Sequence, residues 1–145
     1  MTTVVQMLPT LNDTIMRLDG LSYRYQVELN QDQMLALSEY WTAKRYIDVR
    51  PAMVQAILDA VPPFKNDALP WHEGKRFCKF RYGLEDSRVL YVMVNKNNHL
   101  YIPEDSVHWT TLRERLAEIG TEFKADESNE VEESPFSIVW RYWWD

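Results

Sequence analysis

From Leu21 to Leu29 the chain alternates strictly, with Leu21, Tyr23, Tyr25, Val27 and Leu29 on one face and Ser22, Arg24, Gln26 and Glu28 on the other. A period of two is the mark of a half-buried strand. Asp19-Gly20 immediately before it is a two-residue turn signal, because Gly takes positive φ freely and Asp tolerates it. Thr14–Leu29 therefore reads as a β-hairpin in which Leu18 faces Leu21, Met16 faces Tyr23 and Thr14 faces Tyr25. Val4 to Leu8, closed by Pro9, fits a short preceding strand.

The period then changes to that of helices. Asn30 with Gln33 has the spacing of a capping box, and Met34, Leu37, Tyr40 and Trp41 fall on one stripe behind it. A second helix begins at Pro51, buries Met53, Val54, Ile57, Leu58 and Val61, and is stopped by Pro62-Pro63. Residues 62–74, PPFKNDALPWHEG, show no period and read as a long irregular loop.

A three-stranded meander is expected next: Arg76 to Tyr82, a turn over Gly83 to Ser87, Arg88 to Val94, a turn over Asn95 to Asn98, and His99 to Ile102. Val89 to Val94 is apolar without interruption, as a strand covered on both faces requires, so it belongs in the centre of the sheet. After Pro103, Asp105 or Ser106 can cap a helix carrying Trp109, Leu112, Leu116 and Ile119, with Gly120 as its terminator. Ala125 to Ser134 holds five carboxylates and no basic residue, which predicts a mobile acidic loop at 125–134. Phe136 to Trp144 is a last strand, with Phe136, Ile138, Trp140, Tyr142 and Trp144 on one face and Ser137, Val139, Arg141 and Trp143 on the other. The whole is a single α+β domain over 1–145, a mainly antiparallel sheet packed with about three helices.

At 145 residues the chain is long enough for a proper core, and 46% hydrophobic with 13% aromatic residues excludes a disordered chain. A single cysteine, Cys78, excludes an internal disulfide, and neither a signal peptide nor a membrane span is visible, so a cytoplasmic location is expected. Charge adds one asymmetry. Residues 1–103 carry 12 Lys+Arg against 11 Asp+Glu, whereas residues 104–145 carry 4 against 11, so the net −6 arises in the C-terminal part.

Catalytic chemistry is hard to find in this pattern. His72, His99 and His108 match no zinc spacing, no glycine-rich phosphate loop is present, and no cofactor is expected. Cys78 alternates with Phe80 and Tyr82 and reads as a buried thiol. Carboxylates speed encounter with a basic partner, and Trp is a frequent interface anchor. The expected function is therefore a protein-binding module, of the stoichiometric inhibitor or immunity type, acting on a basic protein that handles nucleic acid. Its binding residues would be Asp126, Glu127, Glu130, Glu132, Glu133, Trp140, Trp143 and Trp144. Two alternatives stand beside it: a small enzyme with a site near His72, Glu73 and His99, and single-stranded nucleic-acid binding through Lys75, Phe77, Lys79 and Arg81.

Overall fold

A computed structural model describes residues 26–44, 49–62, 76, 78–96, 102, 106–133 and 136–145. In chain order the elements are β1 (Gln26–Leu29), α1 (Gln31–Lys44), α2 (Pro51–Ala60), β2 (Cys78–Glu85), β3 (Ser87–Asn95), α3 (Val107–Glu122), β4 (Glu127–Glu133) and β5 (Ser137–Trp144). The five strands form one antiparallel sheet in the order β1-β2-β3-β5-β4, and with the three helices they make a single α+β domain.

Local chemistry accounts for the helix starts. Asn30 Oδ1 accepts from the Gln33 amide at 2.9 Å while Gln33 Oε1 accepts from the Asn30 amide at 2.9 Å, so both halves of the capping box are made at α1. Pro51 opens α2, and Ser106 caps α3 by accepting from the His108 amide at 3.2 Å. The apolar stripes point inward as their spacing requires: Met34, Leu37, Met53, Val54, Ile57, Trp109, Leu112, Leu116 and Ile119 are all buried. Tyr40 departs from that stripe and is exposed.

One face of the sheet meets these helices. Leu29, Phe80, Tyr82, Leu90, Val92, Val94, Ile138, Trp140, Tyr142 and Trp144 join the helical side chains in a continuous core. Helix α1 packs on β1 and β2, α3 packs on β4, and α2 lies between α1 and α3. Central placement of β3 follows from its composition, since it has apolar residues for both faces; Val89 on the face away from the core cluster is also fully buried.

Several details differ from the sequence expectation. The β2–β3 reversal is tighter than a Gly83–Ser87 turn: Gly83 pairs with Val89 inside the ladder, Glu85 pairs with Ser87, and the chain turns at Asp86, whose φ of 66° is a conformation Asp tolerates. The position beside β3 belongs to β5, while all but Ile102 of the expected strand at 99–102 falls outside the described residues. So do the Asp19-Gly20 hairpin up to residue 25, the strand at 4–8 and the loop at 62–74 beyond Pro62.

Gly120 does not terminate α3, which continues to Glu122. A Cβ at Gly120 would lie 2.6 Å from Ser128 Oγ and 2.8 Å from Ser128 Cβ, so glycine is there to let the helix approach β4. The actual stop is Lys124, with φ of 60°. Its amide bonds the Thr121 carbonyl at 3.2 Å and the Ala125 amide bonds that of Gly120 at 2.9 Å, the paired bonds of a Schellman motif.

The largest correction concerns the acidic run. In place of the expected loop, Glu127–Glu133 is β4, in antiparallel register with β5, and residue 134 lies outside the described residues. Like-charge repulsion is overcome because the strand pairs its backbone with the core strand β5 and sets carboxylates beside arginines, Glu130 against Arg113 at 3.1 Å and Glu127 against Arg141 at 3.4 Å. A bulge between Glu130 and Glu132 leaves Val131 out of register and exposed.

Candidate protein-binding face

The sheet face away from the core cluster is polar and aromatic, and its rows follow from register. Glu28, Arg81, Tyr91, Arg141 and Asn129 stand in one row; Gln26, Gly83, Val89, Trp143 and Glu127 stand in the next. Arg81 places its guanidinium 4.4 Å from the Tyr91 ring centroid, and Arg141 lies 5.9 Å from that of Trp143.

Glu85, at the end of β2, ties this face together. Its carboxylate accepts from the Tyr91 hydroxyl at 2.5 Å, from Arg141 Nε at 3.2 Å and from Gln26 Nε2 at 3.4 Å, while its backbone carbonyl accepts from the Trp143 indole at 2.8 Å. Burial alone would raise the Glu85 pKa, but the Tyr91 hydrogen bond and the Arg141 charge outweigh it and hold the carboxyl below the usual glutamate range. Burial and Glu85 together push the Tyr91 phenol up. Through these bonds the cluster links β2, β3 and β5 and holds the Trp143 indole in place.

The binding residues named from sequence separate into three groups. Trp140 and Trp144 belong to the core: both are buried, with indoles donating to Ser128 Oγ at 3.0 Å and to the Phe123 carbonyl at 3.0 Å. They are not available as exposed anchors, because the even positions of β5 face the helices. Trp143 is half-buried on the opposite face. Asp126 and Glu127 are exposed, Asp126 accepting from the Asp145 amide at 2.7 Å, and Glu130 is half-buried on the α3 side. Glu132 and Glu133 stand opposite Val139 and Ile138 in the ladder.

The alternative sites are less assembled. His72, Glu73, His99, Lys75 and Phe77 lie outside the described residues. Lys79 is exposed and 3.5 Å from Glu28, so the cationic stripe of β2 is partly neutralised. Cys78 is buried and its thiol is pushed far up by desolvation, which makes it a poor nucleophile. It lines the floor of a cleft of ≈ 800 Å³ at the sheet end, together with Gln31, Lys79, Met93, Asn95 and Phe136. Among the described residues no three His, Cys, Asp or Glu side chains converge as metal ligands, and no helix is long and apolar enough to cross a membrane.

Sequence reasoning missed the Glu85–Tyr91–Arg141 cluster, since Glu85 and Arg141 meet only through the β3–β5 pairing. Compared with known protein families, with characterised proteins and with solved structures, the chain matches none.

Proposed function

We propose that this chain is a protein-binding module that takes a basic protein partner on its C-terminal layer, formed by β4 and the outward face of β5. The observation that supports this reading is the placement of four glutamates, Glu127, Glu130, Glu132 and Glu133, with no basic residue on one ordered strand at the side of the sheet. Two are balanced by Arg113 and Arg141, yet residues 104–145 still carry seven more acidic than basic groups, 11 against 4. Charges of one sign concentrated on one strand steer a cationic partner and repel an anionic one, including nucleic acid. Beside it, Trp143 is held in place by the Glu85 carbonyl and offers the aromatic contact of the interface. A stoichiometric inhibitor of a basic nucleic-acid enzyme is the specific form we favour.

Affinity capture from the native host tests the proposal. The parent chain and the Glu127→Gln, Glu130→Gln, Glu132→Gln, Glu133→Gln variant are compared at equal folded concentration. A basic protein retained in one-to-one ratio by the parent and lost by the variant supports the reading; identical capture by both contradicts it.

A further inference from the structure

Among the described residues the outer edge of β4 has no strand beside it. Among the described residues the strand lies last in the sheet and pairs with β5 alone, and beyond that ladder its backbone receives one bond, from the Asn129 side-chain amide to the Glu130 carbonyl at 3.3 Å. Every second residue of an edge strand directs its N–H and C=O away from the sheet, so such an edge is a template for a further strand. Glu127, Asn129 and Val131 are exposed, and among the described residues none pairs with the strand on that side.

We propose that this edge accepts an extended, lysine- or arginine-rich segment of the partner as a sixth strand. The inference deepens the binding function proposed above and rests on it. Charge complementarity selects the occupant. Seven residues bearing four carboxylates oppose pairing with an acidic strand, because cross-strand like charges are destabilising. The same carboxylates oppose a second copy of β4, so the edge resists self-association. A strand with cations at alternate positions removes that penalty and satisfies the outward backbone groups together, main-chain bonds giving affinity and side chains giving selectivity. Val131, displaced by the bulge, adds an exposed apolar contact to the same edge.

The test uses the full chain and a capped heptapeptide of alternating lysine and valine. Controls are the glutamate–valine counterpart and lysine–valine peptides N-methylated at alternate amides in each of the two phases. The lysine–valine peptide is expected to bind, the glutamate peptide not to bind, and one methylated phase to lose about tenfold or more in affinity, since several backbone hydrogen bonds go with it. Deuterium exchange should slow in 127–133 and not at the other edge, Gln26–Leu29. Equal binding by both methylated phases, or protection away from β4, overturns edge pairing while leaving attraction of a basic partner intact. No preference for lysine over glutamate overturns both. Dimerisation of the chain with protection of 127–133 makes a second copy the occupant and overturns the proposal.

Discussion

Trp143 and Trp144 are neighbours in sequence and belong to opposite faces of the sheet: the indole of Trp143 donates to the Glu85 carbonyl at 2.8 Å, and that of Trp144 to the Phe123 carbonyl at 3.0 Å. Trp144 is 4% exposed in the helical core, whereas Trp143 is half-buried on the outward face. Trp144→Ala should therefore destabilise the fold by about 3–5 kcal/mol, and Trp143→Ala by roughly half of that or less. Urea denaturation of the two variants measures both. Equal losses would show that Trp143 is core and unsuited to an interface.

Glu85 should make stability depend on pH. Its folded pKa is depressed, so its contribution is complete above the ordinary glutamate value and disappears as pH falls through the lower folded value. In the acid range the parent should lose more stability than Glu85→Gln, and the gap between them should narrow as the carboxyl protonates. Denaturation midpoints of both proteins from pH 7 down to about pH 3 check this, because the unperturbed carboxyl titrates near 4.3. A constant gap across that range would mean that Glu85 is not held ionised.

Gly120→Ala should destabilise the protein although alanine is the better helix former. The added methyl meets Ser128, and displacing it costs about 1–3 kcal/mol, more than the helix-propensity gain of ~1 kcal/mol. Combining it with Ser128→Gly should recover part of the loss, so a double-mutant cycle of thermal stabilities should give a favourable coupling. Additive effects would mean that α3 does not lean on β4 at this point.

Lys124→Gly should act in the other direction. A non-glycine residue at φ of 60° is strained, and relieving it at the end of α3 should stabilise by up to about 1 kcal/mol. Thermal unfolding reads the sign. A loss would show that Lys124 contributes a contact that outweighs the backbone gain.

Legibility in the sequence followed the range of the interactions involved. The Asn30 capping box, Pro51, Ser106 and the stripe from Trp109 to Ile119 are local, and each was readable because residues three or four apart decide them. Glu127–Glu133 was not, because its strand state comes from β5 and from Arg113 and Arg141, none of which is visible in a run of like charges. Gly120 shows the same limit: a glycine near a helix end has the same appearance whether it terminates the helix or admits a neighbour, and only Ser128 decides. For the site, alternation along Ser137–Trp144 gave two faces, but choosing the outward one required knowing that α1, α2 and α3 all cover the other. That choice places Trp140 and Trp144 in the core and Trp143 on the face of the proposed interface.

The central claim is that the carboxylates of β4 draw in a basic partner. Its most direct test is the association rate of the captured partner, measured against ionic strength for the parent and for the Glu127→Gln, Glu130→Gln, Glu132→Gln, Glu133→Gln variant. The parent should associate faster at low salt and slow steeply as salt screens the attraction over ~10 Å at 0.1 M. The variant should be slower and nearly flat, with the two curves converging at high salt. Superimposable curves from two equally folded proteins would contradict the claim and leave β4 as a charged edge with no part in binding.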